Sequence, residues 1–218
     1  MTDFVALPRW FYEPSAKIVA RRLLGHFLIR KTPNGPCGGP IVETEAYLCD
    51  DAACHAARGL TARNRVMFGP AGHGYVYFIY GNHFCVNAVC RAEGIAEAVL
   101  IRAMEASFGE SLMRQHRTVS KSRDLTSGPG KLCEALDIGR ELDGVDLCDS
   151  QALLFIARNP EVKKFRRKQG PTRTTTRIGI TRAAHLPLRF YLAGSEFVSG
   201  RERRGSCTPS RIPGRISL

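Results

Sequence analysis

Apolar residues recur at helical spacing soon after the N-terminus. Ile18, Val19, Leu23 and Leu24 share one stripe, Ser15 stands where an N-cap would, and Gly25 stands where a helix stops, which predicts a helix over 15–24. HFLIRK (26–31) reads as a strand, followed by a Pro-Asn-Gly turn at 33–35 and a second strand in GPIVETEAYL (39–48). Together they predict a hairpin over 26–48 whose loop is longer than two residues. Residues 49–73 are polar and glycine-punctuated, with one helical turn expected near 51–57. GYVYFIYGNHFCVNAVC (74–90) is the clearest β signal, two aromatic and β-branched runs around Gly-Asn.

A short strand in AVLIRA (98–103) leads to a helix ending near Arg117, with Leu112 and Met113 inward. GPGKLCEALDI (128–138) predicts another short helix, opened by Gly-Pro. Strands return in ALLFIA and LPLRFYLAG, and the stretch between them, about 159–176, has no periodicity and reads as a mobile basic loop. The Arg/Gly/Ser/Pro-rich residues 200–218 read as a disordered basic tail. The expected fold is one α+β domain over 1–199 with a curved, mainly antiparallel sheet, flanking helices and a protruding β-hairpin.

Charge changes this picture. The chain carries 32 Lys and Arg against 20 Asp and Glu, a net +12, and residues 161–218 alone hold 14 bases and 3 acids, a net +11. Such asymmetry is the footprint of a polyanion partner, most simply nucleic acid, or else of a solvated tail. No stretch is apolar for long enough to span a membrane. The eight cysteines lack CxxC spacing, so neither a disulfide framework nor a structural zinc site is expected, and the protein reads as intracellular.

Two segments carry candidate chemistry. Strand alternation puts Glu43, Glu45 and Tyr47 on one face and Val42, Thr44 and Ala46 on the other. Paired carboxylates beside a phenol suit acid and base work in a cleft, or are ordinary acids on an exposed edge. In the 74–90 hairpin, Tyr75, Tyr77 and Tyr80 crowd together, and Tyr80 stands at the tip, where its own sheet cannot bury it. Proteins that distort DNA push such side chains between base steps.

These residues also carry a family resemblance. ETEAY (43–47), RNRVMF (63–68), YVYFIYGNHFCVN (75–87), Arg102 of LIRA, SGPGKLCEAL (127–136) and RIGI (177–180) follow the order and spacing of the methylpurine-type 3-methyladenine (alkyladenine) DNA glycosylases. The similarity covers about residues 14–199. It implies a base-excision-repair enzyme that flips alkylated purines out of duplex DNA, hydrolyses the N-glycosidic bond and leaves an abasic site. Glu45 matches the general base that activates water, and Arg102 the arginine that orients it. Tyr47, His55 and Tyr77 resemble the walls around the flipped base, and Asn87 the amide that crowds the exocyclic amino group of guanine. Tyr80 resembles the intercalating wedge, and Arg63 and Met67 match positions close to the DNA. Asn82 and His83 depart from bulkier groups in some relatives.

The implied partner is double-stranded DNA with alkylated or deaminated purines, bound by a monomer without metal or other cofactor. With no lysine in the pocket motifs, no Schiff base and hence no lyase step is expected. Two other classes fit parts of the pattern: a non-catalytic DNA- or RNA-binding protein on the same fold, and a metal nuclease using Glu43, Glu45 and His55. Strand parity adds a geometric expectation. Only a three-residue loop over 80–82, pairing Ile79 with His83, puts Tyr77 and Asn87 on one face.

Overall fold

Residues 4–79, 81 and 83–200 are described by a computed structural model of the chain. Helix α1 (Ala16–Leu23) buries Ala16, Val19, Ala20 and Leu23. Ile18, expected on that stripe, is 45% exposed, because the buried positions turn it to the outer side. Ser15 holds the N-cap position but its side chain caps nothing. Glu97 does so instead, its Oε2 accepting the Ala16 N–H at 2.8 Å, where the helix end favours a negative charge. Gly25 closes the helix at φ +85°, a conformation that glycine reaches without strain.

Strands β1 (Phe27–Thr32) and β2 (Gly35–Tyr47) pair Thr32 with Gly35, so the connection is only Pro33 and Asn34. The longer loop expected there is corrected by local hydrogen bonding. Thr32 Oγ1 donates to Gly35 O at 2.7 Å and accepts the Asn34 N–H at 3.2 Å, closing the turn early. The remaining strands are β3 (Gly74–Ile79), β4 (His83–Cys90), β5 (Glu97–Met104), β6 (Leu154–Ala157), β7 (Thr172–Thr175) and β8 (Arg189–Leu192). They form one curled sheet of order β3-β4-β5-β2-β1-β6, with β8 on β2 and β7 on β8, every pairing antiparallel.

The long β2 changes neighbours along its length. Residues 35–40 pair with β1, residues 43–45 with β8, and residues 41–47 along the other edge with β5. Its second half is thus interior to the sheet. Val42 and Ala46 face a core shared with α1 and with helix α4 (Pro129–Ala135), which begins on a proline as the sequence predicts. Helices α2 (Glu110–His116), which buries Met113, and α3 (Arg123–Thr126) complete that layer.

The segment expected to be a mobile loop over 159–176 is instead helix α5 (Val162–Lys168) followed by β7. α5 is too short and too charged for its periodicity to register. What anchors it is Arg166, whose Nε donates to Leu24 O at 2.7 Å and whose Nη2 donates to Arg22 O at 2.7 Å. Those carbonyls are among the ones α1 leaves without an intrahelical partner. The basic tail lies, apart from Gly200, outside the described residues. No helix among the described residues is long and apolar enough to cross a membrane.

At the root of α5, His26 Nδ1 accepts the Asn159 N–H at 3.2 Å, while Asn159 Nδ2 donates to Gly25 O at 2.8 Å. Burial, reinforced by Arg166 and Arg158, lowers the His26 pKa to about 4. An unfolded histidine titrates near 6.5, so on acidification the unfolded chain takes the proton first. The stability contributed by neutral His26 is complete above about pH 6.5 and is lost as pH falls toward 4, roughly 3 kcal/mol over that window. Urea unfolding between pH 7 and 4 should show that fall, and His26→Asn, which keeps an acceptor that does not titrate, should flatten it.

Candidate active site

On the face of the sheet opposite α1, strand pairing assembles a row of side chains. Tyr75 stands across from Asn87, Asn87 from Leu100, Leu100 from Glu45, and Glu45 from Arg189. Ile79 pairs with His83, so Tyr77 and Asn87 share a face, as only the three-residue loop allows. Tyr80 and Asn82, with the role expected of Tyr80 at the tip, lie outside the described residues.

Arg102 shares this face with Ala98 and Leu100 by strand alternation, and it stands at an irregularity. Glu43 pairs with Ala103 but Thr44 with Ile101, so Arg102 is the extra residue of a β-bulge. Its guanidinium lies between two carboxylates. Its Nε donates to Glu43 Oε1 at 3.0 Å, and its Nη1 lies 3.2 Å from Glu45 Oε1. Burial works against the charge on Arg102, but Glu45 and Glu43 outweigh it and hold its pKa above the ordinary value.

The two carboxylates are both 0% exposed, so neither sits on an open edge, yet their surroundings differ. Glu43 accepts from Arg102 Nε, from Arg189 Nε at 2.6 Å, and from both Oγ and N–H of Ser199 at 2.9 and 2.7 Å. Glu45 Oε1 accepts the Ile178 N–H at 2.8 Å, and its Oε2 accepts the Tyr47 hydroxyl at 3.0 Å. A carboxylate offers about four lone-pair positions. Glu43 takes four donors, three on Oε1 and one on Oε2, whereas Glu45 takes three, counting Arg102, with a position left on the Oε2 that accepts Tyr47.

Tyr47, Arg102 and Ile178, the three groups that hold Glu45, all line a cavity of about 290 Å³. Its other walls include His55, Tyr75, Tyr77 and Asn87, with Met67 beneath. Glu45 itself lies directly behind the wall. The phenols are kept protonated: burial, and then Glu45, raises the Tyr47 pKa, and burial with Cys85 raises that of Tyr77. Burial also takes Tyr75 up to about 12. His55 Nδ1 lies 2.9 Å from the Tyr75 hydroxyl, its ring 4.4 Å from that of Tyr77. Burial and the nearby Arg63 lower its pKa, so the imidazole is neutral at pH 7. Asn87 Nδ2 donates to Tyr75 O at 3.1 Å, which fixes the amide plane.

Arg63 is exposed, donating to Phe78 O at 3.1 Å with its guanidinium 5.6 Å from the Tyr77 ring centre, whereas Met67 is 2% exposed and belongs to the cavity floor rather than an outer surface. The profile of the methylpurine-DNA glycosylase (MPG) family matches residues 10–196. The chain belongs to that family. A protein of Methanoculleus marisnigri, named as a candidate 3-methyladenine DNA glycosylase, is 50% identical over 90% of this chain and 100% of its own length. One of Koribacter versatilis with the same name is 46% identical over 92% of this chain and 96% of its own, and one of Mesorhizobium japonicum is 47% identical over 84% of each.

Several residues that build this methylpurine-glycosylase cavity escaped sequence reasoning. Asn64 sits inside RNRVMF, where the flanking Arg63 and Met67 drew attention. Its Nδ2 donates to His55 O at 3.0 Å and Gly59 O at 2.9 Å, and its Oδ1 accepts the Thr61 N–H at 2.7 Å, so it holds the loop that presents His55. Arg177 opens the RIGI motif. It donates to Ala46 O at 3.0 Å, forms a buried two-bonded pair with Asp51, and lies 4.6 Å over the Tyr47 ring. Arg189 and Ser199 had no local signal at all. Asp51→Ala would leave the Arg177 charge buried without its partner, so urea unfolding should show a loss of about 3–5 kcal/mol.

Proposed function

We propose that the chain is a monofunctional DNA glycosylase that releases alkylated, and by the same chemistry deaminated, purines from duplex DNA as a monomer. The observation that carries this reading is the state of Glu45: a buried carboxylate held by three wall groups of an aromatic cavity, with one acceptor position left. That position suits one water, which Glu45 would deprotonate as it attacks C1′ of the everted nucleotide. Arg102 and the Ile178 N–H fix the carboxylate so that no reorganisation is needed as positive charge develops on the sugar, which the carboxylate also stabilises.

Eversion costs a few kcal/mol of unstacking, least for a damaged base. A purine alkylated at N3 or N7 is cationic, and π-faces such as those of Tyr47 and Tyr77 attract it by roughly 0.5–2 kcal/mol each over a neutral base. Neutral His55 adds no charge that would repel it. Tyr80 at the hairpin tip would take the vacated place in the stack. No lysine is among the described residues lining the cavity, which supports hydrolysis without strand cleavage. The metal-nuclease reading has no supporting geometry: Glu43 is filled by arginine and serine donors and His55 faces Tyr75.

Two variants test the assignment in single-turnover release of 3-methyladenine from alkylated duplex DNA. Glu45→Gln should lower the rate by about 10²–10⁴-fold; an unchanged rate would remove the proposed base. Asn87→Ser should leave 3-methyladenine release standing while raising release of unmodified guanine, read as free guanine by chromatography.

A further inference from the structure

The sheet has two faces, and the cavity occupies one of them. On the other, α1 lies across β2, with Thr44 Oγ1 donating to Ala20 O at 2.9 Å. The outward side of α1 is therefore separated from Glu45 by the thickness of a helix and the sheet. That side carries Lys17, Ile18, Arg21 and Arg22, all exposed. α5 extends it: Val162 and Phe165 lie against Gly25, which leaves Lys163, Lys164 and Arg167 pointing to solvent.

These cations have almost nothing to neutralise them. Among the described residues only Lys164 forms an ion pair, with its exposed neighbour Glu161 at 3.3 Å. Arg21 is pinned on the Phe190 ring at 4.6 Å and donates to Thr174 Oγ1 at 3.0 Å. Like charges four apart, Lys17 with Arg21 and Lys163 with Arg167, destabilise their helices by a few tenths of a kcal/mol each. The patch thus works against the fold that displays it.

We propose that the α1–α5 face is a second DNA-binding surface, holding the phosphate backbone of another duplex segment while the cavity face is engaged. The proposal rests on the reading of the cavity face as the one that meets damaged DNA. Backbone contacts need only Lys and Arg and no shaped pocket. A duplex presents one charge per about 1.7 Å of axis, so α1, about 12 Å long, faces several phosphates at once. A protein partner would require aromatic or apolar anchors at the centre of the patch, and Ile18 is the lone apolar side chain exposed on α1. Two DNA faces on opposite sides let the protein pass between segments without first entering free solution.

The test measures how fast a labelled duplex, too short to bend round the protein, leaves it as unlabelled undamaged duplex is added. For the native protein the rate should rise with competitor concentration, because the incoming segment seats before the first departs. The variant K17Q/R22Q/K163Q/R167Q spares Arg21 and Arg166, which carry structural bonds. It should lose that dependence, and the log–log salt slope of second-duplex binding should fall by about 3–4. Its single-turnover release of 3-methyladenine should match the native protein, which also shows that it folds. A rate flat in competitor for the native protein overturns the proposal, as does acceleration by polyglutamate but not by DNA, or by anionic vesicles but not by DNA. Loss of base release in the variant overturns it too, since the patch would then belong to the cavity face. Failure of the glycosylase reading shows separately, as native protein that releases no base while competitor dependence is still measured.

Discussion

One guanidinium between two carboxylates organises this protein. Glu43 and Glu45 lie two residues apart on the same side of β2, both removed from water, and would repel each other strongly without Arg102. Removing each charge from water costs several kcal/mol, which is offset only when the remaining hydrogen-bonding positions are filled as well. Around Glu43 the further donors are Arg189 and Ser199. Around Glu45 the donors come from Tyr47 and Ile178, both cavity walls. The pair thus divides into a carboxylate that locks the structure and one that is poised beside a cavity.

The sheet is shaped to make that division. β2 must be interior along its second half to bury both acids, and it becomes so by exchanging β1 for β8 on one edge while keeping β5 on the other. Alternation along β5 carries Arg102 to the cavity face with Leu100, and the register of β3 with β4 carries Tyr77 and Asn87 to the same face. The loops that complete the cavity are held by polar clamps in addition to the packing of Cys54 and Ala56: Asn64 for His55, and the Arg177–Asp51 pair for Ile178. Arg177 also stacks on Tyr47, so one buried cation supports both a wall and the backbone N–H that Glu45 accepts.

Much of this was legible residue by residue. The helix over 15–24, the 74–90 hairpin, the strand at 98–103 and the Gly-Pro helix start all rest on local periodicity or turn chemistry, and they stand; the Ile79–His83 register followed only from asking that Tyr77 and Asn87 share a face. Where the reading failed, the deciding force was not local. Ile18 obeys helical spacing but falls outside the stripe that meets β2. Ser15 has the capping chemistry, yet the distant Glu97 does the capping. α5 shows no readable apolar period because, beside Val162 and Phe165, its hold on α1 is a guanidinium on backbone carbonyls, an interaction without spacing.

The amino-acid sequence by itself determined which elements form and which side chains share a strand face, because alternation and turn residues act over a few positions. Read through its motifs it also determined the family, since those motifs recur in order along most of the chain. Only the tertiary structure decided what each acid does. Glu43 and Glu45 are the same residue type, on the same face, in the same five-residue motif. The distinction between them is made by Arg189 and Ser199, which arrive from the far end of the chain. Partners separated by some hundred and fifty residues meet only when the sheet closes, and that closure gives two identical carboxylates different surroundings.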